Sequence, residues 1–452
     1  MNPQTDHQDL VEETQQAFTL ENALKLAMHL HYENEYESAE DIYRKLLEVD
    51  PENPNYMHFF GLLRHQQGYS EEGIDWIKKA LEQVPDYIDA ENNLGNIYMQ
   101  TGHPALAEQS YRKVIDIAPK FVLAYGNLGV VLNELGHHHE AIKYLLKAID
   151  FEPTAAHNYH NLGNAYRNIK NYGEAVGMFN KSIELNPLDA NAYIRLSRTF
   201  YLMGEIENSI DVLKRWLSYD PENPIALHIY AAYTNTNAPA RASDAYVRET
   251  FDSFADSFDG VLKRLEYKAP FLVQKALQQV DPDFNSWQLL DIGCGTGLCG
   301  ALVRPMVKRL VGVDLSPRML ERAKARAIYD ELIEAELTEY CSQIKAAYDA
   351  ITCVDTFCYF GDLTGAVQAA AHALKPKGWL IFTLEKLEES DSPEGFRLHL
   401  HGRYSHTEAH LRTLLTQAGF SIHGIETAVL RIERGEQVTG MVVTASNDNS
   451  LN

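Results

Sequence analysis

The chain is poor in the residues that mark several protein classes. Only 5 of its 452 residues are cysteine, all lie in the C-terminal half, and none forms a CxxC pair. The sequence therefore predicts neither a disulfide framework nor a zinc site. It lacks an apolar run long enough to cross a bilayer, and its first residues lack the basic start and apolar core of a secretory signal. These shortages favour a reducing cytoplasm and no membrane partner.

Basic residues are scarce as well. There are 40 Lys and Arg against 63 Asp and Glu, a formal net charge of −23, which disfavours nucleic acid as a partner. Two histidine groups are not expected to bind a metal, because three adjacent loop histidines point in different directions and the second group has no carboxylate or cysteine in a ligand pattern. They are His137-His138-His139, in a predicted loop, and the set of His399, His401 and His410.

Proline recurs in the first half at a fixed interval of 34 residues, each time after an apolar helical run. This period is the signature of the tetratricopeptide repeat (TPR), a pair of antiparallel helices. The prolines are Pro51, Pro85, Pro119, Pro153, Pro187 and Pro221. We predict a polar segment at 1–19, an all-α superhelix of six repeats with a closing helix at 20–234, and a linker at 235–245.

Asparagines follow the same period on the first helix of the middle repeats. One row holds Asn93, Asn127 and Asn161, and a second row, one helical turn away, holds Asn96 and Asn164. The rows resemble the ladder of O-linked N-acetylglucosamine transferase, which holds protein substrates, although Arg195 replaces asparagine in the sixth repeat. An amide both donates and accepts, which suits an extended peptide backbone. We expect a protein or peptide ligand on the concave face; the alternative is that these asparagines are merely polar.

From Leu289 onward, short β-rich runs alternate with amphipathic helices, a pattern that predicts a doubly wound parallel sheet. Two later β-rich runs flank Arg434-Gly435-Glu436 and predict an antiparallel hairpin that closes the sheet. The other predicted strands are QLLDIG, RLVGVDLS, DAITCVDT and GWLIFTLE. We expect this α/β domain over 246–446, followed by a tail at 447–452.

The first of these strands runs into the glycine-rich segment DIGCGTG at 291–297. Glycines at such a turn let the backbone approach a bound nucleoside. The spacing is GxGxG rather than GxGxxG, and no basic residue is present, which favours a ligand without phosphate over a dinucleotide. The second strand ends at Asp314, 23 residues after Asp291, where a carboxylate can accept both ribose hydroxyls.

LLDIGCGTG and VGVDLSPRML resemble the first two motifs of the class I S-adenosylmethionine-dependent methyltransferases. More narrowly, the chain resembles bacterial methyltransferases with TPRs. The resemblance implies a Rossmann-like sheet of seven strands with the last antiparallel, and S-adenosylmethionine as cofactor. It also implies roles for Asp291, Gly293, Cys294, Gly295 and Gly297 around the methionine part, Asp314 on the ribose, Leu315, Glu336 and Leu337 at the adenine, and Asp355 and Thr356 near the methyl group.

The segment ETFDSFADSFDGVLKRLEYKAP is expected to form a helix over the cofactor mouth. Phe258 stands in it where many relatives have tyrosine, so it cannot supply that hydroxyl, and Lys268 is a possible partner for the cofactor carboxylate.

Removal of a proton from the acceptor requires a general base. The candidates are His401, Tyr404 and His406, within HGRYSHTE, and Asp355. Arg403 is expected to bind a substrate carboxylate. Tyr359 and Glu385 are alternatives on the acceptor side. The competing interpretation makes Ser405–Glu408 a capping box, which would leave His406 without a chemical role.

Three functions remain open at this point. The first is a methyltransferase acting on a protein or peptide recruited by the repeats. The second is a small-molecule methyltransferase whose repeats serve assembly or regulation. The third is a TPR scaffold with a non-catalytic cofactor-binding domain.

Overall fold

The structure, a computed structural model, describes residues 20–234, 238–281, 285–433 and 435–448. The chain divides into two compact units, and the boundary along the sequence lies between Glu205 and Ile206. The first unit is helical throughout its described part, and the second combines helices with a single nine-stranded sheet. Among the described residues, no helix combines the length and the apolar character needed to span a membrane.

Antiparallel helix pairs repeat at the interval that the prolines predict. Residues 20–32 form α1. The next helices are α2 (Tyr36–Val49), α3 (Pro54–Gln66), α4 (Ser70–Gln83), α5 (Ile88–Gln100), α6 (Pro104–Ile117), α7 (Val122–Glu134), α8 (His138–Phe151), α9 (Ala156–Asn168), α10 (Tyr172–Leu185) and α11 (Ala190–Leu202).

Small residues allow the two helices of a pair to pack closely. A Cβ added to Gly61 would lie 2.7 Å from the carbonyl oxygen of Gly73, and one added to Gly129 would lie 2.4 Å from the Leu145 side chain. Such contacts leave no room for a larger residue, so the periodic glycines are explained by packing. The buried core runs continuously from one pair to the next, as expected for stacked repeats.

The second unit begins with α12 (Ile206–Tyr219), α13 (Pro224–Thr234), α14 (Asp244–Asp252), α15 (Phe258–Arg264) and α16 (Ala269–Val280). The helices of the α/β part are α17 (Leu298–Val303), α18 (Pro317–Ala325), α19 (Leu337–Gln343), α20 (Thr364–Ala373) and α21 (Glu408–Gln417). The strands are β1 (Gln288–Ile292), β2 (Arg309–Asp314), β3 (Glu331–Glu334), β4 (Tyr348–Cys353), β5 (Leu374–Lys386), β6 (Phe396–Leu398), β7 (Tyr404–His406), β8 (Phe420–Glu433) and β9 (Glu436–Asn447).

Seven strands follow the order β3-β2-β1-β4-β5-β9-β8, with β1 to β5 parallel and β9 antiparallel to both of its neighbours. This confirms the predicted Rossmann-like sheet and its antiparallel last strand. The short hairpin β6–β7 is an addition that the sequence did not predict. It pairs with the carboxyl end of β5 through Ser405 and His406.

Two predicted helical features are wrong in detail. The single helix expected over ETFDSFADSFDGVLKRLEYKAP is interrupted by turns at 253–257, which separate α14 from α15. Ser253 and Ser257 each donate their hydroxyl to a backbone carbonyl three residues earlier, and such bonds compete with a continuous helix. The cap of α21 is Thr407, whose hydroxyl accepts from the His410 amide, rather than Ser405.

The described part of the predicted linker is held by the α/β part. The amides of Gly361 and Asp362 both donate to the Ala240 carbonyl at 2.8 Å, and the Ala242 amide donates to the Tyr359 carbonyl at 2.8 Å. The closing helix α13 is held too, because His228 Nε2 lies 2.9 Å from the Gly402 carbonyl oxygen. The predicted boundaries of the domains stay a prediction, and 1–19, 235–237 and 449–452 lie outside the described residues.

Candidate functional site

A cavity of about 200 Å³ lies at the carboxyl ends of β1, β2 and β4. Ligands bind at this edge in open parallel sheets, because the loops that follow the strands meet there. Eight of the residues predicted at the cofactor line this cavity. They are Gly293, Gly295, Asp314, Leu315, Glu336, Leu337, Asp355 and Thr356.

Each glycine of the loop has a positive φ, which only glycine adopts readily. A Cβ on Gly293 would lie 2.1 Å from Thr356 Oγ1, whereas one on Gly295 would meet nothing closer than Phe258 at 3.9 Å. The Gly293 and Cys294 amides both donate to the Val313 carbonyl. The amides thus fasten the loop to β2, while the Cα of Gly295 faces open space.

Asp314 lies at the end of β2 and lines the cavity. Its carboxylate accepts from the Gly295 amide at 2.8 Å and from the Ser316 amide at 2.9 Å. These bonds fix the orientation of the carboxylate, and burial raises its pKa. A fixed carboxylate with remaining acceptor capacity suits a pair of vicinal hydroxyls.

Asp291 has a supporting position beneath the loop. It is 1% exposed and accepts from Tyr329 Oη at 2.8 Å and Thr352 Oγ1 at 2.9 Å. Burial raises the pKa of its carboxyl to about 6. Asp291 and Cys294 line a smaller neighbouring pocket rather than the main cavity, and Gly297 caps α17 with a φ of 87°.

Glu336 contributes an acceptor that no described residue uses. Its Oε2 caps α19 by accepting from the Glu339 amide at 2.8 Å. Its Oε1 is buried and has no hydrogen-bond partner within the described residues. An orphaned buried acceptor is costly, so this atom, on a residue of the cavity lining, is a ready partner for a ligand N–H group.

An aromatic wall covers the opposite side of the cavity, formed by Phe251, Phe254 and Phe258 of the α14–α15 segment. The rings meet edge to face, with centroids 5.2 to 6.1 Å apart. Carboxylates of the same segment hold it in place, since Asp259 accepts from Thr296 Oγ1 at 2.6 Å. Lys268, in contrast, is exposed and does not line the cavity.

A buried ion network forms the remaining wall. Arg431 is 5% exposed and contacts Asp355 at 2.8 Å, Glu433 at 2.6 Å and Glu385. Arg403 contacts Glu385 at 2.6 Å and Glu433 at 2.7 Å. Three carboxylates thus face two guanidinium groups. Burial opposes ionisation of Glu385, but the two arginines prevail and lower its pKa to about 2.

Sequence analysis missed Arg431 and Glu433, and it assigned Arg403 to a substrate carboxylate. The structure shows Arg403 Nε and Nη2 already engaged with carboxylates of the protein. Asp355 lies in the cavity as predicted, in a left-handed conformation with a φ of 51° that is uncommon outside glycine. Burial raises the pKa of Asp355, and Arg431 opposes that rise.

Two predicted catalytic residues do not lie in the cavity lining. His406 is 0% exposed, with Nε2 at 3.0 Å from the Gly361 carbonyl oxygen, and burial lowers its pKa to about 4. Tyr404 is also 0% exposed and donates to the Pro239 carbonyl at 2.6 Å. A general base must reach the acceptor proton, so these positions do not fit the expected role.

On the repeats, part of the asparagine ladder is hydrogen-bonded within itself. Asn127 Nδ2 donates to the Oδ1 atoms of Asn92 at 3.2 Å and Asn96 at 3.3 Å. Asn96 Nδ2 donates to Asn93 Oδ1 at 3.4 Å. In the fifth repeat, Asn161 is half-buried, and Asn164 Oδ1 is buried without a hydrogen-bond partner among the described residues. The peptide-binding role of the asparagines stays a prediction.

Comparison with known proteins finds different family models for the helical repeats and for the α/β part. Residues 261–424 match a family model described as a methyltransferase domain. Tetratricopeptide repeat models match 24–88, 89–121, 122–154, 156–189 and 190–223. The chain also matches the crystal structure of MamA, with a TM-score of 0.34 and 24% identity over 36% of this chain and 95% of that one.

Two curated relatives match part of this chain. The ubiquinone biosynthesis O-methyltransferase of Leptothrix cholodnii is 27% identical over 24% of this chain and 48% of its own length. The methyltransferase-like protein 27 of Homo sapiens is 34% identical over 29% of this chain and 55% of its own length. The chain thus spans about half the length of these relatives. Residues 261–424 are thus similar to methyltransferase domains, and residues 24–223 to tetratricopeptide repeats.

Proposed function

We propose that the chain is an S-adenosylmethionine-dependent methyltransferase. The observation that carries the proposal is the cavity itself, which combines the glycine loop, the fixed carboxylate of Asp314 and the orphaned Glu336 Oε1. Asp314 would accept the ribose hydroxyls, and Glu336 Oε1 the exocyclic amine of adenine. These residues fit the cofactor, because a nucleoside without phosphate needs acceptors and apolar surface here rather than cations.

The charge of the cavity supports the same ligand. Three arginines line it, Arg241, Arg403 and Arg431, and each is paired with a carboxylate of the protein. The network of three carboxylates and two guanidinium groups leaves a negative balance beside the glycine loop. A negative site attracts a sulfonium cation and holds the neutral demethylated product less tightly. The same net negative charge would repel a pyrophosphate.

The cofactor would supply a methyl group on a positively charged sulfur. The protein's part is to align the acceptor atom and to remove its proton where it carries one. Asp355 is the predicted catalytic residue that lines the cavity, and Thr383 and Arg431 orient its carboxylate at 2.7 and 2.8 Å. We therefore assign the proton-accepting role to Asp355, with Arg431 as its positioning residue.

The acceptor is proposed to belong to a protein or peptide recruited by the repeats, because ladders of this kind suit an extended backbone. A small apolar acceptor is the second candidate. The aromatic wall of Phe251, Phe254 and Phe258 favours it. The similarity to ubiquinone biosynthesis O-methyltransferases favours it as well.

Calorimetry with S-adenosylmethionine tests the cofactor assignment. We expect binding by the full chain, a loss of at least about tenfold in Asp314→Ala because a charged hydrogen-bond acceptor is removed, and no change in Glu426→Ala, which removes an exposed carboxylate of β8. A full chain that folds but binds neither the cofactor nor its product would overturn the proposal in favour of a scaffold.

The acceptor class is tested with cofactor carrying a radioactive methyl group, incubated with cell lysate and then separated by size. Label in protein fractions supports recruitment by the repeats. Label found in small molecules alone supports the second candidate.

A further inference from the structure

The two asparagine rows of the repeats end in arginine. Row one continues from Asn161 to Arg195, and row two from Asn164 to Arg198, each at the step of 34 residues. Both arginines lie on α11 and are half-buried. The rows therefore change from neutral amides to two positive charges within one repeat.

Neither guanidinium group forms an ion pair with any described residue. The arginines of earlier repeats, in contrast, form ion pairs. Arg44, Arg64 and Arg112 each contact one or two glutamates at 2.6 to 3.3 Å. In a chain with a net charge of −23, two partly buried cations without a carboxylate are unusual, because leaving a charge unpaired in a desolvated place costs free energy.

Unused polar atoms also lie on α9 of the fifth repeat. Asn164 Oδ1, Asn158 Oδ1 and His160 Nδ1 are buried and have no hydrogen-bond partner within the described residues. Asn158 itself is 1% exposed. The carboxylate of Asp189 is the acidic group near His160, at 3.8 Å, and it already caps α11 by accepting from the Asn191 amide.

The register of the repeats brings these groups together. Asn127 donates to Asn96 across an offset of 31 residues, and the same offset relates Arg195 to Asn164. Arg195 also acts electrostatically on the ring of His160. Burial and the neighbouring Arg198 lower the pKa of Arg195, as expected for a cation that still lacks its counter-charge.

We propose that the fifth and sixth repeats bind an acidic segment of a peptide, with carboxylate side chains on Arg195 and Arg198 and the peptide backbone on Asn161 and Asn164. This inference rests on the proposed recruitment of a peptide by the repeats, and it specifies the chemistry of that peptide. Guanidinium groups hold carboxylates through paired hydrogen bonds. The amides of the middle repeats bond to one another, so the fifth and sixth repeats offer the freer polar groups.

Fluorescence anisotropy with the full chain tests this inference. One probe is a labelled peptide with blocked ends in which glutamate alternates with serine and alanine, and the other has glutamine in place of glutamate. We expect the glutamate peptide to bind at least about tenfold more tightly and to lose affinity as salt is added. A third probe with a free carboxyl end and no glutamate separates side-chain recognition from end recognition.

Arg195→Gln and Arg198→Gln should each remove most of the preference for glutamate, and Arg195→Lys should retain part of it. Lys120→Gln is the matched control, since it removes an equally positive but exposed charge from the third repeat. Circular dichroism checks that each variant is folded.

Equal binding of the two blocked peptides, no binding of either, stronger binding of the free-ended peptide, or more effective competition by single-stranded RNA would each overturn the inference. Cofactor binding, measured separately in the same variants, reports on the proposed methyltransferase function. A normal cofactor affinity with any of these outcomes would leave that function standing.

Discussion

Replacement of Arg431 should be among the most destabilising single changes in the α/β part. The side chain is 5% exposed and contacts three carboxylates, of which Asp355 lies at 2.8 Å and Glu433 at 2.6 Å. In Arg431→Gln, these carboxylates stay buried without their main counter-charge. Removing one partner of a buried ion pair costs about 3 to 5 kcal/mol, which is a large part of the stability of a typical domain.

Urea unfolding at neutral pH, followed by tryptophan fluorescence, measures this loss of free energy. Arg412→Gln is the matched control, because Arg412 pairs with Glu408 on the surface of α21 and is 51% exposed. Such exposed pairs contribute about 0.5 kcal/mol or less. If Arg431→Gln proved no more destabilising than this control, the described network would not support the fold.

The pH dependence sharpens the test. The ordinary pKa of a glutamate is 4.5, and the arginines lower that of Glu385 to about 2 against the effect of burial. The difference of about 2.5 between these two pKa values corresponds to about 3 kcal/mol of folding free energy. This stabilisation is present above pH 4.5 and is lost as the pH falls to 2. The difference between wild type and Arg431→Gln should therefore shrink below pH 4, and adding Glu385→Gln should restore part of the loss at pH 7.

Three further outcomes are expected. Gly293→Ala should lower the free energy of unfolding by at least about 2 kcal/mol. The added Cβ would lie 2.1 Å from Thr356 Oγ1, and the backbone there has a φ of 67°. Gly177→Ala on α10, where nothing lies within 4 Å, should instead stabilise by about 0.5 to 1 kcal/mol; both are read from thermal unfolding. His406→Gln should keep cofactor affinity in calorimetry. Because burial lowers the pKa of His406 to about 4, the wild type should lose stability as the pH falls from 6.5 to 4, and the variant should lose less in urea titrations. The wild type should also bind S-adenosylmethionine more tightly than its neutral product, and equal affinities in calorimetry would contradict the negative cavity.

Local patterns were enough to predict the repeats and the cofactor end of the cavity. The proline interval fixes the helix pairs, because every repeat places the same turn after the same apolar run. The carboxyl end of β2 could be read from the run RLVGVD, and in a parallel sheet that position lies beside the glycine loop. Local sequence patterns were therefore sufficient to predict that Asp314 lies at the site.

The ion network could not be predicted in this way, since its members come from distant parts of the chain. Arg431 meets Asp355 across 76 residues and Glu385 across 46. Its place within the β-rich run TAVLRIE resembles an ordinary exposed position of an edge strand. The pairing of β8 with β9 and of β9 with β5 decides which way that side chain faces, and register between distant strands leaves little trace in a sequence.

The segment around His406 shows how a helix cap can be predicted two residues too early. SHTE fits a capping box, and the helix does begin there, but its cap is Thr407. Ser405 and His406 instead belong to the three-residue strand β7. Strands this short carry no readable alternation, so the hairpin that buries His406 and Tyr404 was missed.

The anchoring of 238–242 has a practical meaning for dissecting the protein. A truncated chain starting at 246 would lose the Ala240 carbonyl that accepts from Gly361 and Asp362, the Pro239 carbonyl that accepts from Tyr404, and the helix that carries His228. Those donors would then need water in places where side chains such as Tyr404 are fully buried. A fragment that contains the α/β part but few repeats should therefore start near Ile206. It would then keep α12 and α13, which the sequence assigns to the repeat array.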